Sequence, residues 1–280
     1  GNPTSDYYNL FIQEELLGNK EAILAKRFLK DVYMHNLTRQ LGENNTGFSK
    51  NFVRSFLCTD GLPTSLSPRY KGDDSLNAER ANRDPRFTQL IATEGFVFQV
   101  DANGGKDIIT LPRIGTSVTS TGYQRIKGRS SSLAQWNANQ STLDLFIFRY
   151  AEVLLAYAEA KAELGECDQA VLDKTITKLR SRVGMPAMQL STLVKDPKSD
   201  FPALGVLLDE IRRERRIELA AERFRFDDLL RWNAGKLIEN PETILGMKLV
   251  PAIKAQYPNQ NQVKDLILDA NGYIRVYTDI

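Results

Sequence analysis

Histidine is nearly missing from this chain. His35 is the only one in 280 residues, which leaves no imidazole pair for proton transfer and no histidine-based metal site. Cysteine is almost as scarce. Cys58 and Cys167 have neither CxxC nor metal-ligand spacing and read as two independent thiols. No apolar run reaches the roughly 18 residues of a membrane-spanning helix. The opening GNPTSDYYNL lacks the basic-then-apolar pattern of a secretory signal. Charge of one sign is lacking too: 37 Lys and Arg face 35 Asp and Glu, a net of +2. That balance argues against nucleic acid or an anionic membrane as partner. The P-loop, GxGxxG, HExxH and GxSxG patterns are all absent. No catalytic residue, metal or cofactor is therefore expected.

What is present is apolar mass and helical period. The chain is 42% hydrophobic and 26% charged, ample for a real core. Asp144–Leu164, DLFIFRYAEVLLAYAEAKAEL, is predicted as one helix ending at Gly165. Ala151, Leu155, Ala158 and Ala162 lie on one side of it, and Val153, Tyr157, Ala160 and Leu164 on the other. A helix apolar all round should be sandwiched between neighbours. Glu152, Glu159 and Glu163 form a narrow acidic stripe along it. Asp168 is placed to cap a second helix reaching Val183, with Leu172, Ile176, Leu179 and Val183 in helical register.

The densest stretch is Leu207–Trp232, LLDEIRRERRIELAAERFRFDDLLRW. From Asp209 onward seven acids offset seven arginines, so it is not a phosphate-binding face. Leu204, Leu207, Ile211 and Ala221 share one helical face, and Glu214 and Glu218 fall inside it. A buried carboxylate must be paired. Both acids are therefore expected to meet cations from other helices, chiefly Arg149 or Arg180. Glu152 and Arg215 are expected in the same structural network. Asp209 with Arg213 is the pairing expected along the helix surface. The helix should break near Glu222–Phe226, and Trp232 should pack back onto the hairpin.

Residues 42–142 are less regular. Asn51–Asp60 shows helical spacing at Phe52, Val53, Phe56 and Leu57 before the stop Asp60-Gly61-Leu62-Pro63. Arg83-Asp84-Pro85-Arg86 reads as a loop staple, with arginines clamping an aspartate. Phe96–Val100 and Tyr273–Tyr277 read as short strands. Glu21–Phe28 is ambiguous between helix and strand.

Several of these stretches together resemble one family. LLDEIRRERRIELAAERFRFDDLLRW, RYAEVLLAYAEAKAELG, DGLP, the RDPR run and Gly122-Tyr123 with Lys127 are similar to signatures of the SusD/RagB family. Its members are nutrient-binding lipoproteins of the bacterial outer membrane. The resemblance tips Glu21–Phe28 towards a strand. At Arg223 many members carry glycine, so the break here must form without it. The terminal PIP and QNPG stretches are missing, and the chain reads as the family's C-terminal half cut at both ends.

The resemblance implies a mainly α fold, SusD-like, with tetratricopeptide-like helical hairpins, a loop-rich insertion and a few short β-strands. The expected layout is one SusD-like region. Residues 1–142 are its loop-rich part, 143–235 its hairpins and 236–280 a loop and short-strand tail. It also implies a binding protein and not an enzyme. The partner would be a glycan or other small nutrient passed to a TonB-dependent, SusC-like transporter on the outer membrane's extracellular face. A lipid anchor outside this chain would hold it there. A helical-repeat scaffold without a sugar site is the alternative. Sugar rings need aromatic platforms edged by polar groups. Trp136 with Gln135 and Asn137, and Tyr70 with Arg69, are the candidate ligand contacts.

Overall fold

A computed structural model describes residues 1–115 and 117–277. The mainly helical expectation holds. The first third carries α1 (Asp6–Leu10), β1 (Ala22–Lys26), α2 (Leu37–Glu43), α3 (Lys50–Arg54), α4 (Leu76–Arg80) and α5 (Arg86–Leu90). The irregular middle carries β2 (Val97–Val100), β3 (Lys106–Ile108), α6 (Leu133–Trp136) and β4 (Leu145–Arg149). Then come α7 (Tyr150–Glu163), α8 (Gln169–Lys174), α9 (Ile176–Arg182), α10 (Val206–Glu218) and α11 (Phe224–Arg231). β5 (Leu245–Lys248), α12 (Pro251–Lys254) and β6 (Tyr273–Arg275) follow. The strands form three two-stranded antiparallel ribbons among the described residues, β1–β4, β2–β3 and β5–β6.

Two sequence expectations are corrected here. The segment Asp144–Arg149 is not the first turn of a helix. Phe146-Ile147-Phe148 has the aromatic and β-branched composition that suits a pleated strand, and it pairs with Ala22–Lys26. Arg149 is still extended at φ −135°, and the helix starts at Tyr150. The all-round apolar pattern thus mixed two periods, one of strand and one of helix. Nor is α7 sandwiched. Ala151, Leu154, Leu155 and Ala158 are buried against α8, α9 and α10, but Tyr150, Val153, Tyr157 and Leu164 stand exposed. Their 3-4-7 spacing is a helix-packing seam. Ile23, Leu24, Ile147 and Phe148 of the adjoining ribbon are also exposed.

The Asp168 cap forms as expected, its carboxylate accepting from the Val171 N–H at 2.9 Å. The helix beyond it is divided at Thr175, whose backbone turns to φ −122°, ψ −93°. The Thr175 hydroxyl donates to the Val171 carbonyl at 2.6 Å, a local competitor of helix propagation. Cys58 and Cys167 are both buried and free.

Tyr7, Phe56, Phe87, Tyr123, Ile217, Met247 and Ile274 share one apolar cluster. Early loops, α10 and the tail therefore solidify together. A second cluster sits between α7, α9 and α10. A buried ionic hub joins them. Glu218 lies with Arg149 at 2.8 Å and Arg182 at 2.5 Å on one carboxylate oxygen, and Arg86 at 3.0 Å on the other. Glu214 takes Arg86 at 2.5 Å and Arg180 at 2.9 Å. Arg86 also clamps Asp84 at 2.7 Å, so the loop staple of the sequence is one arm of the hub. Arg149 reaches Glu21 and Glu222, and Lys127 meets Glu222 at 2.5 Å.

Two expected members lie outside the hub. Arg215 pairs with Asp228, its Nε 2.9 Å from both oxygens. Glu152 makes no ion pair among the described residues. Arg213 takes Asp196 and Glu210, while Asp209 binds Lys195, so the expected Asp209–Arg213 pair does not form. On the far side of α10, Glu159 holds Arg231 through both oxygens and accepts from the Trp232 indole N–H at 2.5 Å. Trp232 lies edge-on to Phe201 and under Arg212. Before it in α11, Leu229 is buried and Leu230 exposed.

The break between α10 and α11 comes at Ala221 and Arg223, at φ 62° and 76°. Left-handed backbone costs a residue with a Cβ roughly 1–2 kcal/mol. Lys127 holds the turn from inside, donating to the carbonyls of Glu218 and Ala220. Replacing exposed Arg223 with glycine should remove that strain. Arg223→Gly is expected to raise stability by about 1 kcal/mol, seen as a higher urea midpoint at unchanged slope. An unchanged midpoint would mean that the turn is unstrained.

Burial alone would raise the Glu218 carboxyl, but Arg182, Arg149 and Arg86 hold it well below the usual carboxylate range. In an unfolded chain it would titrate near about 4.3. Its stabilisation is thus complete above that value and drains away as pH falls through the lower folded one. Melting temperature should be flat from neutral to about pH 5 and fall below about pH 4. Glu218→Gln removes a buried carboxylate shared by three guanidinium groups and is expected to cost about 3–5 kcal/mol at pH 7. A variant as stable as the parent would remove the hub from the account of this fold.

Candidate functional site

Beside the hub lies a cavity of about 490 Å³. Its walls are β4, the first turn of α7, the segment Arg125–Gly128 and the α10–α11 break. The left-handed turn at Ala221 and Arg223 ends α10 early and carries Phe224 to one wall. β4 contributes Phe146, which meets Phe11 edge-on at 5.7 Å between ring centroids. Three aromatic side chains, those of Phe11, Phe146 and Phe224, therefore line the hollow.

The polar wall is less settled than the hub behind it. Glu152 faces the cavity with Oε2 buried and without a hydrogen-bond partner, and burial raises its carboxyl. Arg125 donates from Nε to the Lys127 carbonyl at 3.3 Å and has no acid in salt-bridge reach among the described residues. Burial lowers its guanidinium, with Glu222 opposing. Burial also pulls the Lys127 ammonium down to about 7, against the opposing pull of Glu222. The cavity is thus lined by a carboxylate with one unpartnered oxygen, a guanidinium without an ion pair among the described residues, and aromatic side chains. That set matches a small molecule with hydroxyl groups and C–H faces. No group of acids, histidines or cysteines among the described residues could hold a metal ion.

The ligand contacts expected from sequence fall elsewhere. Trp136 ends α6 half-buried, edge-on to Phe98 at 6.3 Å, with Arg129 and Arg39 near its ring. It is wedged against Gly42, where a Cβ would lie 2.4 Å from the indole. Asn137 beside it is exposed. Gln135 points inward instead, its carboxamide held by Ser141 and Thr142, and is only 4% exposed. Buried and held by these bonds, it is not placed to meet a ligand. Tyr70 is half-buried with Arg83 over its ring at 5.4 Å. Arg69 extends into solvent and bonds the Thr59 hydroxyl. No contact joins the Trp136 group to the Tyr70 group among those described.

The sequence reading therefore missed Arg125 and the cavity, and it assigned Glu152 to the hub. One signal was available for each. Arg125 lies inside the Gly122–Lys127 stretch already singled out. Glu152 stands as an acid at the start of a nearly apolar helix.

Comparison with known proteins fits this architecture. The pattern of the SusD family matches residues 20–278. A SusD-like carbohydrate binding protein of Bacteroides fragilis superposes with a TM-score of 0.65 at 25% identity, covering 98% of this chain and 52% of that one. A second SusD-like protein of the same species gives 0.59 at 24% identity, over 84% of this chain and 48% of the other. SusD-like protein P38 of Formosa agariphila is 31% identical over 134 residues, 45% of this chain and 24% of its own length. The chain spans about half the length of the two solved relatives. With a match running through α7, the hub and the tail alike, the chain belongs to the SusD family.

Proposed function

We propose that this chain is part of a nutrient-binding protein that holds a glycan at the bacterial surface for a TonB-dependent, SusC-like transporter. The observation that carries this reading is the family match over residues 20–278. The description of the Bacteroides fragilis relative as carbohydrate binding agrees with it. The role is binding without catalysis. Glu214 and Glu218 are held ionised by arginines, which makes them poor general acids. No helix among the described residues is long and apolar enough to cross a membrane. Attachment to the outer membrane would therefore use a lipid anchor outside these residues.

The cavity is the favoured seat for one sugar unit, because Glu152 has an oxygen without a partner and Arg125 has no ion pair among the described residues, while Trp136 is already packed. Trp136 with Asn137, and Tyr70 with Arg69, would act as outer contacts for a longer chain of sugars. Calorimetric titration with a panel of oligosaccharides tests this. Arg125→Ala and Glu152→Ala are each expected to weaken binding tenfold or more, about 1.4 kcal/mol, with little change in melting temperature. Trp136→Ala should weaken binding less. If Trp136→Ala alone abolishes binding, the seat moves to the α6 face. If no sugar binds, the scaffold reading replaces this one.

A further inference from the structure

A second cleft lies between α3, the 196–201 loop, α10 and α11. Arg54, Arg212, Arg213, Arg216 and Arg225 all line it. The acids there are already committed. Asp196 accepts from Ser65, the Lys198 N–H and Arg213. Asp209 accepts from Lys195 and Ser199. Asp200 is shared by Arg54 at 3.2 Å, Arg216 at 2.9 Å and the Asn51 amide at 3.2 Å.

Positive charge and donors are left over. Arg225 makes no ion pair and no side-chain hydrogen bond among the described residues, although it is partly buried between α10 and α11. Arg212 has a buried Nε with no partner, and its nearest carboxylates, Glu159 and Glu163, stand 3.9 and 3.8 Å away. Burial and the neighbouring Arg225, Arg54 and Arg213 pull the Arg216 guanidinium down to about 9 against Asp200. Arg54 also takes Glu242, Arg213 takes Glu210 and Arg216 takes the Asn51 side-chain carbonyl, so among the described residues the guanidinium without an ion pair in the cleft is that of Arg225. The open volume is about 30 Å³, room for roughly two waters and too little for a sugar ring. Guanidinium forks match the oxygens of a tetrahedral anion two at a time.

We propose that this cleft binds a single tetrahedral oxyanion, sulfate or phosphate, held by Arg225, Arg216 and Arg212. The site is separate from the cavity and does not depend on the glycan reading. Its ligand is either the free ion or the same group carried as an ester on a larger molecule.

The test is calorimetric titration with sodium sulfate and sodium phosphate, ionic strength being held constant with sodium chloride. Saturable binding in the millimolar range or tighter is expected, accompanied by a rise in melting temperature that levels off. General salting effects of sulfate do not saturate in that range. Arg225→Gln should weaken binding at least tenfold. Arg225→Lys keeps the charge but loses the fork, and should weaken it several-fold while preserving the fold. Selenate soaked into crystals should give its anomalous peak between Arg216 and Arg225. Galactose 6-sulfate tested against galactose separates the sources. Binding tighter than inorganic sulfate assigns the site to an ester, and equal or weaker binding assigns it to the free ion. No heat with either ion, or an equal response from parent and both Arg225 variants, overturns the proposal.

Discussion

The carboxylate of Glu218 is the point on which this structure turns. It is buried completely, and it is tolerated only because guanidinium groups from three different segments converge on it. Arg86 comes from the start of α5, Arg149 from the end of a strand and Arg182 from the end of a helix. None can leave without stranding the others in low dielectric. The attraction adds little net stability after desolvation. Its effect is to fix where each segment stands. Helix α10, the RDPR loop and the start of α7 can be assembled in one register only, and the cavity is the hollow left beside that assembly.

Much of this was legible in the sequence, for a physical reason. A helical face that mixes Leu207 and Ile211 with Glu214 and Glu218 cannot face water without exposing the leucine or bury itself without finding cations. That contradiction predicts partners on other helices, and Arg149 and Arg180 are among them. Arg86 and Arg182 were not foreseen, because the RDPR run accounts for Arg86 by Asp84 alone and nothing in the spacing singles out Arg182 beside Arg180. The ends of elements were also hidden. Arg149 closes a strand and opens a helix at once, so the periodicity on either side of it belongs to two different structures. Thr175 divides a helix through a side-chain bond to its own backbone, which apolar spacing does not record.

The candidate site was less legible than the fold. Gln135 and Trp136 sit in a stretch whose composition reads as surface loop, yet Gln135 is locked inside and Trp136 is seated on Gly42. Composition reports average exposure and not the direction of each side chain. The cavity depends on the strand at Phe146, the break at Arg223 and the placement of Arg125, three features far apart in the chain. The arginine-lined cleft illustrates the same point in reverse. Seven arginines and seven acids cancel along Asp209–Trp232, but in space the acids are drawn to other partners and the positive charge gathers on one side of α10.

The exposed seam on α7 bears on how this chain behaves in solution. Tyr150, Val153, Tyr157 and Leu164 recur at the spacing by which helices interlock, and Ile147 and Phe148 extend the same bare surface along the ribbon. Water is a poor cover for such a strip. Ile147 belongs both to this strip and to the cavity wall, so covering the strip and filling the cavity would be linked equilibria.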